Sequence, residues 1–286
     1  MKRIFFFSFL ILTLGIGCTR VPESSVPMVV TTIVPLTSIT QNLLAGVADV
    51  KTILPAAAEP HEVVLSTREL QILQDADLIL TWGLGLDDWA TRATAATESR
   101  APKLVATTYL NLPAGTDDPH AWLSPQRMLQ IVSGLEAGLV RQFPDERERI
   151  YANTIEYREK MARLNSDFHS LAELPNRDIV TLHDAFNYLA LDYNLRIVAT
   201  IRDLPEDNPS PADIARVITI LKKYPNAALF GESEIHPAIL ETIARDTGRT
   251  VYTLDPLEIA DAQPDTYLAT MEKNLASLQQ ALRNAQ

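Results

Sequence analysis

Histidine side chains follow three of the β-strands that the sequence predicts. His61 lies in PAAAEPHEV after the second strand, His120 in DDPHAWLSP after the fourth, and His183 in TLHDAF after the fifth. A carboxylate, Asp255 in TLDPL, follows the eighth strand. Open parallel sheets place their ligand sites at the carboxyl ends of the strands. We therefore expect these four side chains to meet in one site.

Imidazole and carboxylate groups together suit zinc, and they also suit manganese or iron. The sequence contains a single cysteine, Cys18 near its N-terminus, so a thiolate site is not expected. Prolines flank three of the four candidate ligands and restrict the backbone of their loops. Glu59, two residues before His61, offers an alternative oxygen ligand that we rank below Asp255.

Short β-rich runs alternate with helix-forming stretches in both halves of the chain. This alternation predicts an α/β fold with a four-stranded parallel sheet flanked by helices in each half. The predicted strands of the first half are residues 29–34, 50–54, 78–82 and 103–107. Those of the second half are residues 178–182, 196–201, 227–231 and 250–254.

A stretch without glycine or internal proline, residues 144–174, separates the two halves. Its apolar residues recur at helical spacing, which predicts one amphipathic helix of roughly 43 Å that joins the two lobes. The residues of this apolar stripe, for which core packing is the expected role, are Ile150, Tyr157, Met161, Leu164, Phe168 and Leu171.

The N-terminus carries an export signal. Lys2 and Arg3 precede an apolar run that is too short to span a bilayer, and small residues precede Cys18. We predict a signal peptide at residues 1–17, a lipid on Cys18 that anchors the protein to a membrane, and a solvated tether over residues 18–27. The remaining predicted boundaries are an N-terminal metal-binding lobe at 28–143, the linking helix at 144–174 and a C-terminal metal-binding lobe at 175–286.

The charge balance of the chain is acidic. Its formal net charge is −11, and removal of Lys2 and Arg3 with the signal peptide makes the mature chain more negative still. A negative field repels polyanions, so we expect no nucleic-acid partner.

Four sequence segments resemble the metal motifs of a known family. The segments EPHEVVLSTRELQILQDADLIL, DPHAWLSP, LHDAFNYLA and VYTLDPL are similar, in order and spacing, to those of the zinc- and manganese-binding lipoproteins that serve ABC importers. The similarity extends over the whole mature chain. It implies two α/β lobes joined by the long helix, with His61, His120, His183 and Asp255 around one metal ion in the cleft.

The resemblance also implies a function. It predicts an exported, membrane-anchored, monomeric protein, at the periplasmic or extracellular face, that passes its metal to an ABC permease with its ATPase. A histidine at the position of His183 is commoner in the zinc binders of the family, so Zn²⁺ is the expected cargo, with Mn²⁺ or Fe²⁺ as alternatives. The chain departs from many zinc members in two places. The segment NLPAGTDDPH lacks their histidine-rich loop, and FGESEIHP has Ile235 and His236 where the family usually has an aromatic residue and a serine.

Two other classes of protein remain as alternatives. A zinc hydrolase would need an open coordination position and a general base, and the sequence contains neither an HExxH nor a GxSxG motif. We therefore do not expect an enzyme. A surface adhesin that contains a structural metal ion is the second alternative, and it would lose its fold on chelation.

Overall fold

The computed structural model describes residues 26–55, 58–61, 63–202, 209–232 and 237–284. The predicted signal peptide, Cys18 and most of the tether lie outside these residues, as do Ile235 and His236. Among the described helices, none combines the length and the apolar character that a membrane crossing requires.

The N-terminal lobe contains a parallel four-stranded sheet with the strand order β2-β1-β3-β4. Buried valine, isoleucine and leucine side chains fill β1 and β3, as expected of central strands that are covered on both faces. The strands are β1 (Met28–Thr31), β2 (Asp49–Thr52), β3 (Leu78–Thr81) and β4 (Lys103–Val105). The helices are α1 (Val34–Leu43), α2 (Thr67–Asp75), α3 (Asp88–Ala96) and α4 (Pro125–Gln142).

The C-terminal lobe repeats this arrangement with the strand order β6-β5-β7-β8, again all parallel. Each of the eight strands coincides with a predicted one, so the predicted fold class is confirmed. The strands are β5 (Asp178–Thr181), β6 (Arg196–Thr200), β7 (Ala228–Gly231) and β8 (Val251–Thr253). The helices are α6 (Asn187–Asp192), α7 (Pro211–Lys223), α8 (Pro237–Thr247) and α9 (Thr266–Asn284).

A single long helix, α5 (Arg147–His169), joins the lobes, with 3-10 turns at Pro144–Glu146 and Ser170–Glu173. The predicted helix is thus present, but its regular part is shorter, about 34 Å at the usual rise. The apolar stripe predicted for it is buried in a core cluster that continues through both lobes. The lobes therefore share one apolar interior, and the residue boundaries proposed between them stay a prediction.

Capping side chains fix the starts of two helices. Ser124 accepts a hydrogen bond from the backbone N–H of Arg127 at the start of α4, directly after the His120 loop. Ser210 and Asp213 form a reciprocal capping box at the start of α7. Both helices begin with a serine-proline pair, a sequence pattern that predicts a helix start.

Candidate metal centre

Three imidazoles and one carboxylate converge between the lobes. Oε1 of Glu258 lies 3.8 Å from Nε2 of His61, 3.2 Å from Nε2 of His120 and 3.6 Å from Nε2 of His183. The side chains of His120, His183 and Glu258 are almost completely buried, and that of His61 is 17% exposed. Three nitrogen donors thus face one oxygen donor in an enclosed space.

The His120 loop is held by two partners. Oδ1 of Asp118 accepts from the His120 backbone N–H at 2.9 Å and lies 2.8 Å from Nδ1 of the same residue. The indole N–H of Trp82 donates to the carbonyl of Pro119 at 2.7 Å. A carboxylate on Nδ1 places the proton there and leaves Nε2 with a free lone pair, as carboxylate partners of metal-bound histidines do.

His183 follows β5 and has the same kind of partner. Its Nδ1 lies 2.6 Å from Oε1 of Glu232, which follows β7, and the other oxygen of Glu232 lies 3.5 Å from the guanidinium of Arg202. All three side chains are at most 3% exposed. Glu232 therefore orients the His183 ring within the C-terminal lobe.

His61 lies on the loop after β2 and faces the most open part of the site. The indole N–H of Trp89 donates to the carbonyl of Pro60 at 3.1 Å and holds this loop. His61 lines a cavity of about 520 Å³ together with Asp117, Asp184 and the His120 loop. The cavity therefore reaches the edge of the site at His61 and His120.

The structure places Glu258, and not Asp255, against the three histidines. Oδ1 of Asp255 accepts from the backbone N–H of Leu257 at 2.8 Å, and the backbone of Asp255 pairs with the side-chain amide of Asn274 in α9. Leu257 has a positive φ of 61°, and this turn directs the next residue, Glu258, into the cleft. Glu258 is not among the ligands predicted from the sequence, where Asp255 is the carboxylate nearest to the strand end.

The charges of the site depend on one another. Burial disfavours charge on each group, but Asp118 and Glu258 outweigh it at His120 and raise the pKa of that imidazole. At His183 burial is likewise outweighed, by Glu232 and Glu258, which raise the pKa to about 10. Burial of Glu258 is outweighed by the three imidazoles, which hold the pKa of its carboxyl well below its usual range. Glu258 is therefore anionic, and protons compete for the imidazoles.

The donor atoms fit a metal ion. Within the described residues, no hydrogen bond satisfies Nε2 of the three histidines or either carboxylate oxygen of Glu258, although all are buried. His61, His120 and Glu258 each offer a ligand atom within 4.8 Å of the others. Buried polar groups normally have a partner, and a divalent cation with nitrogen and oxygen ligands would satisfy them all at once.

Glu59 and His169, whose side chains could also bind a metal ion, lie elsewhere. Glu59 precedes the His61 loop and is not part of the cluster formed by His61, His120 and Glu258 among the described residues. His169 ends α5, where its ring contacts the ring of Tyr193 at 5.1 Å. This ring contact gives His169 a packing role at the end of α5.

Known zinc-binding proteins are similar to this chain over most of its length. Zinc-binding lipoprotein AdcA of Streptococcus pneumoniae is 30% identical over 275 residues, which are 88% of this chain and 55% of that protein. High-affinity zinc uptake system protein ZnuA of Bacillus subtilis is 27% identical over 277 residues, covering 89% and 87% of the two chains. The chain thus spans about half the length of AdcA but most of ZnuA.

A solved structure has the same fold. The Zn(II)-bound ZnuA-like domain of Streptococcus pneumoniae AdcA superposes with a TM-score of 0.80 at 30% identity, covering 91% of this chain and 100% of that domain. The family model described as zinc-uptake complex component A, periplasmic, matches residues 29–281. The match takes in both sheets, the linking helix and all four converging side chains, so the chain belongs to the zinc-uptake complex component A family.

Proposed function

We propose that this protein is an exported solute-binding protein that captures Zn²⁺ and passes it to an ABC importer. The observation that carries the proposal is the convergence of three imidazole Nε2 atoms on one carboxylate, all of them buried atoms without hydrogen-bond partners among the described residues. The ligand set we propose is His61, His120, His183 and Glu258. Glu258 replaces Asp255, the residue expected from the sequence.

The donor set favours zinc over manganese. Three neutral nitrogens and one oxygen form a nearly tetrahedral site, whereas manganese prefers more oxygen ligands. The zinc bound by the AdcA domain supports the same choice for this chain. Mn²⁺ and Fe²⁺ remain the alternative cargoes.

Binding stoichiometry tests the proposal. The mature protein, stripped of metal with a chelator, should bind one Zn²⁺ per chain in a competition titration against a chromophoric chelator. His120→Ala should weaken this binding strongly, because it removes a central donor and leaves Glu258 facing only two imidazoles. A wild type that binds no zinc, or a His120→Ala variant with unchanged affinity, would reject the site.

The site supports binding rather than catalysis. Four protein ligands fill a tetrahedral shell and leave no position for an activated water molecule. The orienting carboxylates Asp118 and Glu232 are each engaged with a histidine Nδ1. Zinc-dependent hydrolysis of ester or peptide substrates by the purified protein would contradict this part of the proposal.

The partner and anchor follow from family membership and from the sequence. We infer that an ABC permease with its ATPase receives the metal from a monomeric binding protein, and that a lipid on Cys18 holds the protein at the membrane surface.

Cys18→Ser should release the protein from the membrane fraction while leaving zinc binding unchanged. A strain that lacks the protein should grow poorly when zinc is scarce, and the wild-type protein should restore its growth. This rescue would test delivery of zinc and separate it from an adhesin role.

A further inference from the structure

Glu258 lies in an irregular segment between β8 and α9, residues 254–265, which we call the strap. The strap has neither helix nor strand, and the residue before Glu258, the buried Leu257, has a left-handed backbone conformation. Such a conformation is unfavourable for a residue with a branched side chain, and it persists only where the surroundings impose it. The position of the Glu258 carboxylate therefore depends on what holds the strap.

The start of the strap changes lobes within a few residues. Leu254 continues β8 by donating its N–H to the carbonyl of Gly231 at 2.9 Å, so it belongs to the C-terminal lobe. Two residues later, the carbonyl of Pro256 accepts at 2.8 Å from the indole of Trp122, which lies on the N-terminal lobe. Glu258 thus follows a contact with the lobe that carries His61 and His120.

The end of the strap is fastened to α1 of the N-terminal lobe. The side-chain amide of Gln41 donates to the carbonyl of Ala262 at 3.1 Å, and that of Asn42 donates to the carbonyl of Pro264 at 2.6 Å. Ser38 also donates to the carbonyl of Pro264, at 3.1 Å. The side chain of Ala262 packs on the apolar cluster between β1, β3 and α3. Backbone carbonyls on both sides of Glu258 are therefore held by the N-terminal lobe.

We propose that Gln41 and Asn42 are positioning residues for the metal ligand Glu258. By holding the strap on the N-terminal lobe, they keep the Glu258 carboxylate against His61 and His120. This inference rests on the metal site proposed above. Neither carboxylate oxygen of Glu258 has a hydrogen-bond partner among the described residues, so the position of this ligand depends on the contacts that hold the backbone of the strap. Release of the strap lets Glu258 withdraw and speeds the loss of the metal.

The test compares the double variant Gln41→Ala/Asn42→Ala with the wild type. Both side chains are half-buried on the helix surface, so the fold should survive their truncation. We expect zinc affinity to fall about tenfold, within the range typical of residues that support a metal ligand, through faster dissociation measured by transfer of zinc to a chelator. The visible absorption of the Co²⁺-loaded variant should change in shape and weaken, because one ligand is displaced.

Asn153→Ala is the matched control. The Asn153 amide also donates to backbone carbonyls at the end of α1, those of Leu43 at 3.2 Å and Ala45 at 3.0 Å, but it does not hold the strap. We expect the zinc dissociation rate and the Co²⁺ spectrum of this variant to match the wild type. An equal change in Asn153→Ala would show that general loosening of α1 is responsible.

A second comparison shows whether the effect passes through Glu258. In a Glu258→Ala background, Gln41→Ala/Asn42→Ala should cause no further loss of affinity, because energies of residues that act through one group are not additive. The same tenfold loss in both backgrounds, or no loss in either, would overturn the positioning role. A wild type that binds no zinc would instead reject the proposed site itself.

Discussion

Two carboxylates only three residues apart have different surroundings at the end of β8. Glu258 faces three imidazole nitrogens, whereas Asp255 accepts from the backbone of Leu257. Glu258→Gln should therefore lower zinc affinity by about a hundredfold or more, because it replaces an anionic ligand. Asp255→Asn keeps an oxygen that can accept from the backbone N–H of Leu257, so this variant should lower zinc affinity by less than about tenfold. Competition titrations of both variants decide the assignment, and the reverse order would restore Asp255 as the ligand.

Proton competition is a second property of single residues. The pKa of His183 is raised to about 10 and that of His120 is also raised, whereas zinc binds only neutral imidazoles. Zinc affinity should thus fall steadily as the pH falls from about 9 to about 7, a range in which an unperturbed histidine, with a pKa of about 6.5, stays mostly neutral. Proton release on zinc binding, measured in buffers of different ionisation enthalpy, should exceed one proton per ion at neutral pH. Constant affinity over this range would contradict the raised pKa values.

The histidines could be selected from the sequence because each follows a predicted strand, and parallel sheets gather strand ends at one edge. Glu258 could not be selected in this way. It follows Leu257, which has a left-handed backbone conformation. Leucine rarely adopts this conformation, and the local sequence does not predict it. The backbone on both sides of the turn is held by contacts with Trp122, Gln41 and Asn42, which are far away in sequence.

Among the secondary structure elements, α6 ties the C-terminal lobe to the His120 loop. Asp192 accepts two hydrogen bonds from the guanidinium of Arg127 in α4, at 2.7 and 2.9 Å, and a third from Ser124. The hydroxyl of Tyr188 donates to the carbonyl of Asp118, which precedes the ligand loop. The lobes are therefore joined beside the metal centre as well as through α5.

Loss of the Asp192 charge should destabilise the protein. Asp192→Asn leaves a largely buried guanidinium without its counter-charge, which costs about 3 kcal/mol, and the free energy of unfolding in urea would measure it. The control is Arg196→Met, because Arg196 pairs with Asp178 in similar geometry but with its side chain 65% exposed. An exposed pair contributes less than about 1 kcal/mol, so similar losses in both variants would contradict this interpretation.

The strands and helices themselves were predictable because their signals are local. Alternating β-rich and helical runs predict all eight strands, and serine-proline caps predict the starts of α4 and α7. The linking helix was predicted longer than α5, since the apolar periodicity that defines it continues into the 3-10 turn that contains Leu171. Buried contacts between the lobes have no local signal, and the sequence did not predict them.

For the whole molecule, the shared core implies that zinc stabilises the fold without creating it. The apolar cluster that runs through both lobes and α5 includes no metal-dependent contact among its members. The metal-free protein should show a folded circular dichroism spectrum, and zinc at one hundred times its dissociation constant should add about 2.7 kcal/mol to the free energy of unfolding. A random-coil spectrum of the metal-free protein would instead favour a structural metal.

The zinc-induced stabilisation should also depend on pH. In the metal-free protein, the raised pKa values of His120 and His183 mean that protonation of these imidazoles stabilises the fold. This stabilisation is complete below the unfolded-state pKa of about 6.5, and it is lost as the pH rises through the folded-state pKa values. Zinc replaces these protons, so the difference in Tm between loaded and metal-free protein should be larger at about pH 8 than at about pH 6. Thermal unfolding at both pH values tests the sign, and a smaller difference at the higher pH would refute it.

The three indole hydrogen bonds around the site have a further consequence. Trp82, Trp89 and Trp122 are the only tryptophans in the chain, and each donates to a prolyl carbonyl on a loop that carries a proposed ligand. The ring of Trp122 also lies 5.1 Å from that of His120. All tryptophan emission therefore originates beside the metal centre. The intrinsic tryptophan fluorescence should therefore report metal occupancy without an attached dye, and a paramagnetic ion such as Cu²⁺ should quench it.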